Sequence, residues 1–222
     1  MDFGLFSGLP REELSRLVAA ARRRTFERHE VVFHRGDPGD TLHLIAKGRF
    51  AVRISTQLGD TATLAVLTPG EAFGEIALVS SDTRRSATVI ALEPAETYSV
   101  HADDLKRLRH EHPGVNDVLI AILADRVRRV NERLVETLFL PAEIRVLRRI
   151  CDLASLYGNG GPASVIPLTQ EDVAGLAGTS RATVNRVLRE EERRGTIALR
   201  RGKVEVLEPD GLRARAGRAA LS

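Results

Sequence analysis

Apolar residues change their period several times along this chain of 222 residues. Leu9, Leu14, Leu17, Val18 and Ala21 fall at helical spacing, with Pro10 suited to a first turn, and predict a helix within the stretch from Leu5 to Arg24. From about Phe26 the period becomes two. Short apolar runs recur at Val31-Val32-Phe33, Leu42-His43-Leu44-Ile45, Phe50-Ala51-Val52, Leu64-Ala65-Val66-Leu67, Thr88-Val89-Ile90 and Tyr98-Ser99-Val100. Turn signals separate them at Gly36-Asp37-Pro38-Gly39-Asp40, Lys47-Gly48, Gly59-Asp60 and Pro69-Gly70. Brief strands in such number predict an antiparallel barrel or sandwich.

After Pro113 the helical period returns. Asn116, Ile120, Leu123, Val127, Val130, Leu134 and Thr137 form a heptad seam flanked by Asp125, Arg126, Arg128, Arg129, Glu132 and Arg133. The seam predicts a long helix that pairs with a second copy. A helix packed only on its own sheet is the alternative. Phe139-Leu140-Pro141 predicts a hinge, because proline cannot continue a helix. The chain therefore divides into a strand-rich domain over residues 1–113, a long helix and hinge over 114–140, and a second domain over 141–222. Together they make an α+β protein. The Gly158-Asn159-Gly160-Gly161-Pro162 segment reads as a loop.

Composition narrows the class. The chain is 43% hydrophobic and 28% charged, which is globular composition. Its longest apolar run, Val118 to Ala124, falls far short of a membrane span, and Met1 to Gly4 lacks a basic leader. A cytoplasmic protein with no membrane partner is expected. The single cysteine, Cys151, excludes an internal disulfide, a four-cysteine cluster and a zinc ribbon, and its apolar neighbours predict core packing. No motif supports a haem role for His29, His34, His43, His101, His110 or His112, so no metal, haem or iron-sulfur cofactor is expected. Net charge is only +3, yet Thr179 to Lys203 carries eight Arg or Lys against three Glu, a footprint suited to phosphate.

Leu168 to Leu188 has the form of a helix-turn-helix. Thr169 and Ser180 are candidate caps, Gly178 permits the tight turn, and Val173, Ala174, Ala177, Val184, Val187 and Leu188 supply the apolar faces. Arg181, Ala182, Asn185 and Arg186 then point outward from the start of the second helix, the part that enters a major groove of double-stranded DNA. Arg181 and Arg186 are the candidate base readers, because a guanidinium donates two hydrogen bonds to guanine. Ser180 and Thr183 carry hydroxyls that reach phosphate, with capping as the alternative role. Ile197 to Val206 alternates about a turn and predicts a hairpin wing whose basic tip, Arg201 and Lys203, touches the DNA backbone.

Phe73-Gly74-Glu75-Ile76-Ala77-Leu78, followed by Arg84-Arg85-Ser86-Ala87-Thr88, predicts an anion cradle. A short helix starting at Gly74 offers backbone N–H groups, Arg85 a positive fork and Ser86 a hydroxyl. Glu75 is unfavourable beside a phosphate unless it accepts hydrogen bonds from a neutral part of the same ligand, such as a ribose hydroxyl. A mutual Glu75–Arg85 pair is the alternative. There is no nucleophile–base pair, metal-ligand cluster or nucleotide-hydrolysing loop, so an enzyme is not expected.

Gly36 to Asp40, Gly48, Phe73 to Leu78 and Arg85-Ser86-Ala87 resemble the phosphate-binding cassette of cyclic-nucleotide-binding domains. With the downstream helix-turn-helix and wing, the chain resembles the CRP/FNR family of bacterial transcription regulators over nearly its whole length. The resemblance implies a β-roll that binds a cyclic nucleotide, cyclic AMP or cyclic GMP, a long dimerisation helix, and a winged helix-turn-helix domain. It implies a cyclic-nucleotide site at Gly74, Glu75, Ile76, Ala77, Arg85, Ser86, Arg126, Val130 and Asn131. Within that set, Glu75 matches the ribose-binding carboxylate, Arg85 and Ser86 the phosphate grip, and Arg126 an arginine that pairs with Glu75. Where cyclic-AMP-binding members carry a threonine that recognises adenine, this chain has Val130, followed by Asn131, which both donates and accepts. Ala182 replaces a glutamate that reads cytosine, and its methyl suits thymine. The implied partners are a two-fold symmetric DNA operator, a second copy of the chain and RNA polymerase. The same DNA role without nucleotide control is one alternative, and a cyclic-nucleotide regulatory subunit of an enzyme complex is another.

Overall fold

The computed structural model describes residues 21–55, 61–158 and 164–217, together with Ser15 and Ala19, both helical. These residues form two compact units. The first runs through Ser55 and resumes over Leu64–Val130; the second takes Asn131 onward and the short segment ending at Thr63.

The first unit is built on eight strands: β1 (Arg22–Phe26), β2 (Val31–Phe33), β3 (Thr41–Lys47), β4 (Phe50–Ser55), β5 (Thr61–Leu67), β6 (Ala72–Phe73), β7 (Thr88–Ala91) and β8 (Ala95–His101). They lie in two four-stranded sheets, ordered β1-β8-β3-β6 and β2-β7-β4-β5. The first sheet is antiparallel along its length, as are the β2–β7 and β4–β7 pairs of the second. Central strand β3 is buried on both faces. Leu42 and Leu44 turn toward Leu105, Leu108, Val115, Val118, Leu119 and Ile122 of two helices, α2 (Ala102–Glu111) and α3 (Gly114–Phe139). Ile45 turns inward with Phe26, Phe50, Phe73 and Val89 to fill the roll. Period-two alternation thus places one side of the strand on helices and the other on the opposing sheet.

Two local predictions change. The helix expected to reach Arg24 gives way to β1 at Arg22; the rest of that prediction lies outside the described residues apart from Ser15 and Ala19. β1 is an edge strand whose three arginines and Thr25 are exposed, so no alternation marks it, and it exists through pairing with β8. The short helix expected from Gly74 begins only at Ile76 and ends at Val79; it is α1. Gly74 has φ +91°, outside the helical region.

The second unit contains α4 (Ala142–Tyr157), β9 (Ser164–Ile166), α5 (Gln170–Ala177), α6 (Arg181–Arg193), β10 (Ile197–Arg200), β11 (Lys203–Val206) and α7 (Pro209–Arg215). Strands β10 and β11 form the predicted hairpin, and β9 joins it on the β11 side. Cys151 is buried in the core of this unit with Val146, Ile150, Val173, Val184 and Leu188. Helix α3 ends at Phe139, and α4 begins directly after Pro141. The junction is held by polar groups: Glu136 accepts from Arg148 Nη1 at 2.9 Å and pairs with the buried Arg149, while Arg145 Nη1 donates to the Leu140 carbonyl at 2.9 Å. The predicted Gly158–Pro162 loop lies outside the described residues beyond Gly158, which ends α4.

Candidate functional site

In the first unit, the loop before β3 is laced to the segment before β7. Gly36 N donates to Arg85 O at 2.9 Å, Arg85 N to Asp37 O at 2.8 Å, and Gly39 N to Thr83 O at 2.7 Å. This lacing turns Arg85 inward, where it is 4% exposed. Its Nη1 donates to the carbonyls of Thr41 (2.8 Å) and Gly74 (3.1 Å), its Nη2 donates to Thr41 Oγ1 (2.8 Å), and its guanidinium carbon stands 4.1 Å from the centre of the Phe33 ring. A Cβ at position 74 would lie 2.6 Å from Arg85 Nη1 and 2.7 Å from Thr41 O, so only glycine permits this approach. Burial lowers the Arg85 pKa, against the Asp40 and Glu75 charges that raise it.

Arg85 borders a small open cavity of about 30 Å³, which is also lined by Phe33, Phe73, Gly74, Ile76, Ala77, Ser86 and Arg126. Glu75 is not on its wall. The carboxylate is fully buried and forms an ion pair with Arg126 Nη1, while Arg126 Nη2 donates to Ala72 O at 2.7 Å. Burial pushes the Glu75 carboxyl above its ordinary range, and the Arg126 and Arg85 charges oppose the rise. The alternative Glu75–Arg85 pair is therefore replaced by Glu75–Arg126. Arg85 Nε and both Glu75 oxygens are buried without a partner in hydrogen-bond geometry. The Arg85 donor left over on the cavity wall fits a small anion. Val130 and Asn131 are not among the lining residues; both are exposed on α3, a helical turn or more beyond Arg126.

Sequence reasoning missed Thr41, Phe33 and His43 at this site. His43 is 5% exposed, stacks on Phe73 at 4.9 Å, and bonds Thr97 Oγ1 (3.1 Å) and Thr41 Oγ1 (3.3 Å). Burial, then the Arg85 and Arg24 charges, lower its pKa to about 3, with Asp40 opposing. The unfolded chain thus takes up a proton below pH 6.5 that the folded chain refuses down to about 3. His43 therefore costs stability as pH falls through that window. Between pH 7.5 and 5 this term is expected to remove about 2 kcal/mol that His43→Phe retains, read as the difference between denaturant melts of the two proteins. Equal acid slopes would refute it.

In the second unit, Thr169 and Asp172 form a reciprocal capping box on α5. Gly178 takes the left-handed conformation at φ 58°, and Ser180 caps α6. Arg145, unassigned from the sequence, locks the turn by donating to the Ala177 and Gly178 carbonyls, both at 2.9 Å. Arg181, Ala182, Asn185 and Arg186 are exposed along α6 while Val184, Val187 and Leu188 are buried. The Ser180 and Thr183 hydroxyls are 3.0 Å apart and bonded to each other, and Ser180 Oγ also accepts from Thr183 N at 3.2 Å, so their observed role is capping. Asn185 Nδ2 donates to Gln170 Oε1 at 3.0 Å, and Arg186 pairs with Glu143 of α4. Between α6 and the wing lies a groove of about 550 Å³, lined by Gln170, Arg181, Asn185, Arg200 and Lys203 among others. Arg201 is exposed at the wing tip and is not on the groove wall. Gln170, Arg200 and Glu143 are additions to the sequence-derived set.

Among the described residues, no group of three or more His, Cys, Asp or Glu is placed to hold a metal ion, and no helix is long and apolar enough to cross a membrane. An anion-suited cavity in a β-roll, followed by a capped helix-turn-helix and a basic wing, defines a DNA-binding regulator with a ligand-binding domain. Residues 23–112 match the cyclic nucleotide-binding domain family, and residues 144–215 match the Crp-like helix-turn-helix domain. The chain is 31% identical over 216 residues to the CRP-like cAMP-activated global transcriptional regulator of Mycobacterium tuberculosis, covering 96% of each. It is 35% identical over 204 residues to the Cyclic AMP receptor protein of Thermus thermophilus, covering 92% of each. The solved structure of the c-di-GMP responsive global regulator of Xanthomonas campestris shares the fold, with a TM-score of 0.78 at 23% identity over 90% of this chain and 99% of that one. The chain belongs to the CRP/FNR family of transcription regulators.

Proposed function

We propose that the chain acts as a homodimer whose binding to a two-fold symmetric DNA operator is controlled by a cyclic mononucleotide, cyclic AMP in preference to cyclic GMP, held in the β-roll cavity. The observation that carries this reading is the buried Arg85 guanidinium on the cavity wall, whose Nε has no partner. Arg85 and Ser86 grip the cyclic phosphate, and Glu75 accepts from a ribose hydroxyl. That contact competes with Arg126, so ligand binding is felt directly on α3. The names of the relatives in Mycobacterium tuberculosis and Thermus thermophilus support cyclic AMP as the effector.

The dimer reading rests on the second apolar face of α3. Ile120, Val127, Val130 and Leu134 are 55–63% exposed along the heptad seam, whereas Val115, Val118, Leu119 and Ile122 on the other face are buried. Two copies paired on that seam set two recognition helices about 34–36 Å apart, the spacing of successive major grooves. Arg181 and Arg186 read guanine, Ala182 and Asn185 complete the base-facing surface, and the wing residues Arg200, Arg201 and Lys203 follow the phosphates. Arg186 leaves Glu143 to do so; that exposed pair costs little to break. RNA polymerase is the protein partner. A second reading, control by an effector other than a cyclic mononucleotide, is favoured by the placement of Val130 and Asn131 outside the cavity.

Calorimetric titration with cyclic AMP and cyclic GMP separates the two readings. Saturable binding that weakens at least about 100-fold in Arg85→Leu is expected, as for loss of charge-assisted hydrogen bonds. Binding of palindromic DNA should tighten with the ligand and fall steeply with salt. No binding of either nucleotide at millimolar concentration would overturn nucleotide control.

A further inference from the structure

The buried side of Arg85 meets a chain of polar groups that leads away from the cavity. Nη2 donates to Thr41 Oγ1 at 2.8 Å, Thr41 Oγ1 lies 3.3 Å from His43 Nε2, and His43 Nδ1 lies 3.1 Å from Thr97 Oγ1. A guanidinium only donates, so the Thr41 oxygen accepts at the first contact and its own hydrogen is left for His43 Nε2. When that hydrogen goes to Nε2, the ring carries its proton on Nδ1 and donates it to Thr97 Oγ1. His43 lies parallel to Phe73, with 4° between the rings, and 6.2 Å from Phe33, the ring against which Arg85 rests.

The position is otherwise suited to an apolar side chain. Phe26, Phe50 and Phe73 fill the surrounding roll, and burying an imidazole there carries a desolvation cost that a phenyl ring avoids. Both ring nitrogens are nonetheless matched to partners, and one partner touches Arg85 directly.

We propose that His43 is a positioning residue for the ligand site: through the Thr41 hydroxyl it holds the Arg85 guanidinium in the orientation that leaves Nε–H for the ligand. The proposal rests on Arg85 gripping the phosphate of a cyclic nucleotide. Thr97 orients the ring from β8, and Thr41 passes that orientation on from the start of β3. A second proton, on Nε2, would oppose the Thr41 hydrogen and place a positive charge beside Arg85 and Arg24, with Asp40 alone offsetting them among the charges acting on the ring. The relay therefore runs with a neutral imidazole.

The test uses the full chain and its His43→Phe, His43→Gln, Thr41→Val and His43→Phe/Thr41→Val variants. Two readouts are taken: calorimetric titration with cyclic AMP, and nitrogen-15 NMR of the His43 ring and the Arg85 Nε–H. The wild-type ring should show the Nδ1–H tautomer. His43→Phe and Thr41→Val should each weaken cyclic AMP binding about 5–10-fold, as expected for one relayed hydrogen bond, and the double variant should be no weaker than either. His43→Gln, which keeps an acceptor near the Nε2 position, should bind within about 2-fold of wild type. Exchange of the Arg85 Nε–H with water should be faster in His43→Phe and Thr41→Val than in wild type. An Nε2–H tautomer, or unchanged Arg85 exchange in both variants, would overturn the relay. If the wild type binds no cyclic nucleotide, the reading of the site falls, while the tautomer and Arg85 exchange still decide whether His43 positions the guanidinium.

Discussion

Replacing Arg126 by leucine is expected to destabilise the first unit by about 3–5 kcal/mol at neutral pH, because it leaves a buried carboxylate without its counter-charge. Glu75 is fully buried and pairs with Arg126. Burial already holds its pKa above the ordinary value, with the Arg126 charge as the leading opposing effect. Removing that charge raises the pKa further. A carboxyl whose folded pKa is raised contributes stability that is complete below its unfolded value and is lost as pH rises through the folded one. The Arg126→Leu deficit should therefore be large at pH 7.5 and shrink on acidification. The His43 slope runs the other way but is present in both proteins, so it cancels in the comparison. Adding Glu75→Gln should recover much of the loss at pH 7.5, since a neutral amide has no charge to neutralise. Denaturant melts across pH measure all three proteins; a deficit that does not change with pH would refute the argument.

Glu191→Ala should cost the second unit about 1–3 kcal/mol, because it leaves the buried Thr196 hydroxyl without its carboxylate acceptor and removes the group that gathers the partly exposed Arg215 and the exposed Arg194. Glu191 is 2% exposed and gathers Arg215 (Nη2 at 2.5 Å, Nε at 3.0 Å), Arg194 (3.0 Å) and the Thr196 hydroxyl (2.6 Å). Burial alone would raise its pKa, but the bonds from Arg215 and Thr196 and the Arg215 and Arg194 charges pull it below the usual carboxylate value. Its contribution is accordingly present above the ordinary carboxyl range and lost as pH falls through the folded pKa. Thr196 immediately precedes β10, so the cage also fixes where the wing leaves α6. The variant should melt earlier and bind operator DNA more weakly even at temperatures where it remains folded. A loss of less than about 1 kcal/mol, the range of exposed ion pairs, would show that the cage does not hold the unit together.

These two carboxylates differ in how visible they were from the chain alone. The Glu75–Arg126 pair followed from family resemblance and is present in the structure. Glu191 looked like one of three consecutive glutamates on a charged helix, with nothing local to distinguish it. Its neighbours Glu190 and Glu192 pair on the surface with Arg193 and Arg189, while Glu191 is turned inward by the rotation of α6. Arg145 and Glu143 were hidden in the same way, among several charged residues of α4 with nothing local to set them apart.

The features determined by sequence alone were those whose causes act within a turn or a strand. Thr169, Gly178 and Ser180 start and stop helices through bonds to backbone a few residues away, and the alternation in β3 and the heptad seam of α3 each follow from a single element. Tertiary structure decided what depends on which strand lies beside which. β1 exists because β8 offers it backbone partners, and Arg85 meets Thr41 because the loop before β3 is laced to the segment before β7. The β3–β8 register sets Ile45 opposite Thr97, two residues along from His43, and so brings the Thr97 hydroxyl within reach of the buried ring. Strand register and burial choose partners across long separations in the chain, and no local propensity encodes that choice.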